Sequence, residues 1–495
     1  HWDSWEDGRR SHVMSIDLES GEVRDLTPGP CDTPPISLGG FHDYALSPDG
    51  SELAFVRNTD VPTAVGTGND IWLVAAEGEG EPHLLTENDA NDTSPVYSPD
   101  GRFIAYLAMR RPGFEADRTE LMLYDRSRGT HRSLTADLDR SVNTFCWAPD
   151  ASALIFECQD RIWRSLWRVS VGGGDIAQLT RQRYLSGIAL TPDGNHIVAL
   201  GQATDRPAEL YLFDSGGTEL RRLTRTNDSL LAELDLSPAE PFTFSGARGV
   251  EVEGFIVRPP GFDPGRSWPL IYMVHGGPQG AWSDLFHYRW NANMFAAPGY
   301  VALLVNPRGS TGYGQQFTDD ITTDWGGKVF DDLMKGLDHV LANHAFIDPD
   351  RLAACGASYG GYMMNWFEGH TDRFRTLVNH DGVSNTVSMY GSTEELWFPE
   401  WEFGGVPWEN DRFYERWNPM GAVKDFQTPM LIIHGELDYR VPIGQGLEMF
   451  TALRRRGIRA RLLLFPDEGH WVLRPQNALV WWNTIYDWLA EFLND

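Results

Sequence analysis

A turn signature repeats four times in the first half of the chain: Ser47-Pro48-Asp49-Gly50, Ser98-Pro99-Asp100-Gly101, Ala148-Pro149-Asp150-Ala151 and Thr191-Pro192-Asp193-Gly194. Each copy leads into a short β-rich run: Leu53-Ala54-Phe55-Val56, Phe103-Ile104-Ala105-Tyr106, Ala153-Leu154-Ile155-Phe156 and His196-Ile197-Val198-Ala199. A second apolar strand follows, such as Asp70-Ile71-Trp72-Leu73-Val74 or Glu209-Leu210-Tyr211-Leu212-Phe213. The units close on Leu-Thr, at Thr27, Thr86, Thr135, Thr180 and Thr224. Several short strands repeated about every forty to fifty residues cannot bury their faces alone and must stack on their neighbours, the pattern of β-propeller blades. Four units are complete, and residues 1–27 read as the second half of another, so about four and a half blades are expected over residues 1–236. A propeller has to close its ring. A start in mid-blade therefore predicts further blades upstream, missing from this chain or carried by a separate fragment.

The pattern changes across residues 237–253, after which strands alternate with helices. Continuous apolar runs at 269–274 and 300–305 suit buried parallel strands. Val329, Leu333, Leu337, Val340 and Leu341 mark one helix face. Further strands are expected at 352–355, 376–379, 430–433 and 461–465, and helices at 360–370, 444–456 and 476–493. Residues 237–495 thus read as an α/β-hydrolase domain with a doubly wound, mostly parallel sheet.

Within it, Gly356-Ala357-Ser358-Tyr359-Gly360-Gly361 sits between a strand and a helix. A sharp strand-to-helix turn tolerates little bulk beside the serine and lifts its hydroxyl above the sheet edge, so Ser358 is the expected nucleophile. A serine needs a base and a group to orient it. In α/β-hydrolases these follow in the order acid, then histidine. Asp438 follows the strand at 430–433, and His470 follows the strand at 461–465; both lie at the carboxyl edge that carries Ser358. Glu436 and Asp467 occupy the same loops less favourably, and His434 lies close to its strand as a structural residue. His275-Gly276-Gly277-Pro278 follows the strand ending at Val274, so the N–H groups of Gly277 and Tyr359 are the expected oxyanion donors, each worth about 3–4 kcal/mol in a transition state.

Composition excludes other classes. A net charge of −29 lacks the basic footprint nucleic acid requires. No run of 18 apolar residues suggests a membrane span. The four cysteines show neither metal-ligand nor disulfide-framework spacing.

The motifs above, with Asn306-Pro307-Arg308-Gly309-Ser310-Thr311-Gly312-Tyr313-Gly314, His434-Gly435-Glu436-Leu437-Asp438-Tyr439-Arg440-Val441-Pro442 and Phe465-Pro466-Asp467-Glu468-Gly469-His470-Trp471-Val472, resemble the prolyl oligopeptidase family. The likeness is to its acylaminoacyl-peptidase branch, with several segments similar to the dipeptidyl-peptidase V group. It implies a propeller capping a hydrolase domain, and short peptides as substrates. It implies neither metal nor organic cofactor, and favours a periplasmic or secreted location. A homodimer is compatible with it.

The leading expectation is a serine peptidase that releases N-terminal dipeptides through an acyl-enzyme. The rivals are an acylaminoacyl peptidase or oligopeptidase and, in another class, a propeller interaction protein with an inactive hydrolase domain. A dipeptidyl peptidase must hold a free α-ammonium with carboxylate. The Glu-Glu pair of proline-specific relatives is not found in the visible blades, and Glu6 and Asp7 are the candidates. Arg440 is expected to hold a substrate carbonyl or carboxylate, where other family members carry Asn. Trp397, Phe398, Trp401 and Phe403, in an insertion before Asp438, either line an apolar S1 pocket or pack as core.

Overall fold

The computed structural model describes residues 8–59, 64–78 and 80–494, and the chain divides into two compact units. One runs to Gly201 and adds Leu210–Thr224 and Glu395–Trp401; the other holds Gln202–Glu209, Arg225–Glu394 and the chain from Glu402 onward. This differs in detail from a single division at residue 237. The segment Glu395–Trp401 joins the first unit because its backbone and its tryptophan rings find partners there. The Leu396 N–H donates to the Ala64 carbonyl (2.8 Å), the Trp397 indole donates to Glu115 (3.3 Å), and Trp401 stacks on Phe114 at 4.4 Å. Glu6 and Asp7 lie outside the described residues. Among the described residues no helix is long and apolar enough to cross a membrane, and all four cysteines are free.

The first unit is made of propeller blades. A two-stranded sheet (Met14–Ile16 with Val23–Asp25) precedes four blades of four strands, the third and fourth joined into one eight-stranded sheet by a parallel pairing of Arg164 with Tyr184. The first blade holds Tyr44–Leu46, Glu52–Asn58, Asn69–Ala75 and His83–Leu84, and the second begins at Asp92–Tyr97 and ends at Thr130–Ser133. The third runs from Val142–Trp147 to Ala177–Gln178, and the fourth from Tyr184–Leu190 to Glu219–Arg222. Apolar clusters bridge successive blades: Ala54, Val56, Ile71 and Leu73 pack on Ile104 and Tyr106, and Leu107, Leu121 and Leu123 on Leu154 and Phe156. Ile155 and Leu166 pack in turn on Leu185, Ile197 and Ala199.

The repeat has a hydrogen-bonding cause. In all five Leu-Thr units the threonine hydroxyl accepts a backbone N–H from the preceding strand, at 2.9–3.0 Å. The pairs are Thr27 with Val13, Thr86 with Ile71, Thr135 with Leu121, Thr180 with Leu166 and Thr224 with Leu210. The Pro-Asp-Gly turns repeat a second device. The Ser47 hydroxyl donates to Asp49 (2.7 Å) and accepts the Glu52 N–H (3.0 Å), and Ser98 and Thr191 do the same in their turns. Ala151, at φ 58°, holds the left-handed position that Gly50, Gly101 and Gly194 take elsewhere.

The second unit is an α/β-hydrolase sheet. Its strands are β1 (Glu240–Ser245), β2 (Glu251–Val257), β3 (Trp268–Val274), β4 (Val301–Asn306), β5 (Ile347–Ala357), β6 (Thr376–His380), β7 (Met430–Gly435) and β8 (Ala460–Phe465). They lie in the order β1-β2-β4-β3-β5-β6-β7-β8. The β1–β2 and β2–β4 pairs are antiparallel, and every other pair is parallel. Every residue of β3, β4, β6 and β7 is buried, as helices on both faces require. The helices Lys328–Asn343, Tyr359–His370, Gly444–Arg455 and Pro475–Leu493 accompany the sheet. Beneath the β4 end, Arg308 and Asp332 form a fully buried ion pair (3.2 Å), and Asp332 also accepts the Ala247 N–H. That pairing and its extra hydrogen bonds are what make two buried charges tolerable.

The threonine device is testable. Thr135→Val keeps shape but leaves the buried Leu121 N–H unpaired, a cost of about 1–3 kcal/mol. Differential scanning calorimetry is expected to show an earlier unfolding transition with Ser358 labelling at 25 °C unchanged; an unshifted transition would show that the repeated hydroxyl carries no stability.

Candidate active site

β5 ends on Ala357, and the chain turns sharply into the helix Tyr359–His370. Ser358 sits in the turn at φ 58°, ψ −119°, a conformation that costs a non-glycine residue roughly 1–3 kcal/mol. The turn closes only because its flanks lack side chains. A Cβ on Gly356 would lie 2.5 Å from the Gly360 carbonyl, and one on Gly360 would lie 2.2 Å from the Val274 oxygen. One on Gly361 would lie 2.6 Å from the Gly382 Cα. The Ser358 N–H donates to the His380 carbonyl (3.0 Å) and to Asp381 Oδ1 (2.7 Å), both at the end of β6.

The His275–Gly277 loop follows β3 and runs beside the serine. A Cβ on Gly276 would lie 3.3 Å from Ser358 Cβ. His275 anchors this loop: one ring nitrogen pairs with Ser310 Oγ (2.9 Å) and the other with the Gly276 carbonyl (2.8 Å). Burial lowers its pKa to about 4, so the anchor is neutral. Gly277 has φ 123°, open only to glycine without strain, and Tyr359 occupies the first turn of the helix with its hydroxyl on the Trp325 carbonyl (2.5 Å).

His470 Nδ1 and Asp438 Oδ2 are 2.7 Å apart, in the loops after β8 and β7. The second Asp438 oxygen accepts the N–H groups of Arg440 (3.0 Å) and Val441 (2.9 Å), which lock the carboxylate. With Nδ1 so committed, Nε2 is the ring nitrogen left for proton transfer. Burial by itself would lower the His470 pKa, but the charges of Asp381 and Asp438 outweigh it and raise the imidazolium's stability. His434 donates from Nε2 to the Val441 carbonyl (2.7 Å) and is held neutral by burial. Glu436 is exposed, and Asp467 pairs with Arg474 (3.2 Å).

The aromatic residues of the insertion divide. Trp397, Phe398 and Trp401 belong to the first unit, where Trp401 stacks on Phe114 and the Arg111 guanidinium lies 4.7 Å from Phe114 and 5.6 Å from Trp401. Phe403 is buried in the second unit against Trp325 (4.8 Å) and Tyr414 (4.6 Å). Arg440 lies 5.6 Å from the centre of the Trp471 ring, next to the catalytic-type histidine.

Two residues here escape sequence reasoning. Asp381 follows β6 as Asp438 follows β7, and the same strand-end rule would have flagged it. It is fully buried, with Oδ2 3.6 Å from His470 Nδ1. Glu394 is buried, hangs its N–H on the Tyr439 carbonyl (2.9 Å), and lies 3.8 Å from Arg440. Nothing in its local sequence marks it. Among the described residues Asp381, Asp438 and His470 bring three ligand-type atoms within 4.8 Å of one another. Their short hydrogen bond already occupies the histidine nitrogen that a metal would need, so the cluster suits proton handling.

With this geometry in view, comparison with known proteins is informative. Residues 286–495 match the model of the prolyl oligopeptidase family. The chain is 33% identical over its whole length to dipeptidyl-peptidase 5 of Schizosaccharomyces pombe, covering 74% of that protein. It is 32% identical over its whole length to dipeptidyl-peptidase 5 of Porphyromonas gingivalis, covering 73% of that one. Acylaminoacyl peptidase of Pyrococcus horikoshii superposes with a TM-score of 0.75 at 22% identity, over 98% of this chain and 85% of the other, and so shares the fold. By its extended likeness to those relatives, the chain belongs to the prolyl oligopeptidase family.

Proposed function

We propose that the chain is a serine dipeptidyl peptidase that removes N-terminal dipeptides from short peptides. The observation that carries this reading is the strained Ser358 turn together with the 2.7 Å His470–Asp438 pair on neighbouring strand ends. The likeness to two proteins named dipeptidyl-peptidase 5 supports the choice of substrate.

Ser358 Oγ attacks the scissile carbonyl while His470 Nε2 takes its proton, and Asp438 stabilises the imidazolium through Nδ1–H. The carbonyl oxygen becomes an oxyanion that accepts hydrogen bonds from the Gly277 and Tyr359 N–H groups. As the C–N bond breaks, His470 returns the proton to the leaving amine. Water then attacks the acyl-enzyme by the same relay, releasing the dipeptide and restoring the serine.

An α-ammonium on the substrate needs a carboxylate within reach. Glu394 supplies one: Oε2 is buried without a hydrogen-bond partner, and the residue is pinned to the loop carrying Asp438. Burial raises its pKa while Arg440 opposes that rise, and a cationic partner would repay the desolvation. Arg440 then faces the substrate carbonyl or carboxylate.

Ser358→Ala is expected to reduce kcat by roughly 10⁴–10⁶ and to abolish fluorophosphonate labelling; labelling that survives the substitution favours a binding module instead. Dipeptide anilides with free and acetylated N-termini separate the peptidase classes, and cleavage of the acetylated one alone would falsify the dipeptidyl reading. Glu394→Gln is expected to raise KM for the free-amine substrate by roughly 10–100-fold with the labelling rate unchanged. An equal loss in both measurements would assign Glu394 a purely structural part.

A further inference from the structure

Asp381 is placed as no bystander would be. Its backbone adopts a left-handed φ of 43°, and its N–H donates to the Ile433 carbonyl of β7 (2.9 Å). Its Oδ1 accepts the Ser358 N–H (2.7 Å) from the end of β5. The residue therefore ties together the strands that deliver nucleophile and acid. Its other oxygen, Oδ2, is buried without a hydrogen-bond partner and faces two imidazoles, His380 Nε2 at 3.3 Å and His470 Nδ1 at 3.6 Å. One Nδ1–H thus faces two carboxylates, Asp438 at hydrogen-bond distance and Asp381 just beyond it.

We propose that Asp381 is a positioning residue of the catalytic relay: a second carboxylate that holds the imidazole of His470 alongside Asp438, while its other oxygen fixes the main chain of Ser358. The proposal rests on the Ser358–His470 relay and is indifferent to which peptide is cut. The surrounding charges agree with it. Burial raises the Asp381 pKa, with the Asp438 charge adding to the rise, while His470, the Ser358 N–H and Arg289 oppose it. His380 is kept neutral, by burial first and then by the neighbouring His470, His434 and Arg289. It brings no charge of its own, so the anion of Asp381 acts on His470. A buried anion close to an imidazole favours the protonated form. Asp381 and His470 then release their protons together, and the acid limb of kcat/KM belongs to the pair.

The test is the pH profile of kcat/KM, measured with whichever anilide the unsubstituted enzyme cleaves. Failure of the dipeptidyl reading would thus appear in the parent enzyme, and failure of this proposal in the variant alone. Asp381→Asn keeps an oxygen for the Ser358 N–H but removes the charge. The acid limb is expected to move to lower pH by about one unit or more, with folding verified by circular dichroism. An acid limb that stays in place, or moves upward, overturns the proposal. Asp438→Asn gives an independent reading should that variant not fold. With Asp381 still facing Nδ1, its kcat is expected to fall by about 10³-fold or less, against about 10⁴-fold for a triad with a single acid. The full 10⁴-fold loss overturns the proposal equally.

Discussion

Ser358 can be a nucleophile here only because backbone from neighbouring strand ends crowds around its turn. The strained torsions at Ser358 are held from outside by β3, whose Val274 oxygen presses on Gly360, and by the turn after β6, whose Gly382 packs on Gly361. Strain of this kind persists only where the surroundings over-determine it. The sheet meets that condition, since β3, β6 and β7 are buried along their whole length. The loops that carry Asp438 and His470 leave the successive strand ends of β7 and β8 and bring the two side chains to 2.7 Å.

The same crowding sorts the buried His275, His380 and His434 from the half-buried His470. His275, His380 and His434 are all driven toward the neutral form by desolvation. Only His470 has a carboxylate at hydrogen-bond distance on its Nδ1, and only its pKa is raised. The neutral three do structural work: His275 anchors the glycine loop through Ser310, and His434 braces the Asp438 loop through the Val441 carbonyl. Of these four imidazoles, His470 alone is driven toward the protonated form. Geometry and desolvation together make that choice, and neither would do so alone.

Much of this was legible in the residues because it is local. The Leu-Thr closure repeats because one hydroxyl caps one N–H in each blade. Ser358 was marked by its glycines and by the strand before it, and the strands and helices of residues 269–493 end within a few residues of where periodicity puts them. What escaped is non-local. Asp381 stands at a strand end that the acid rule reaches, yet what it faces comes from β7 and the loop after β8, and Glu394 hangs on a carbonyl 45 residues further on, at Tyr439. The aromatic run 397–403 looked like one feature, yet Trp401 finds its stacking partner in Phe114 and Phe403 finds its own in Trp325. Sequence proximity says nothing about which side of a helix each ring will use.

Charge makes the same point at a longer range. The chain carries −29 overall, yet the Trp471 ring beside His470 has a guanidinium on either count: Arg289 at 5.4 Å and Arg440 at 5.6 Å from its centre. At physiological ionic strength a charge is felt over only about 8 Å. The overall charge therefore says little about the neighbourhood of His470, which is set by Glu394, Arg440 and Arg289 close by. Net charge could not have foretold that a buried carboxylate and two guanidinium groups would gather on the loops beside His470.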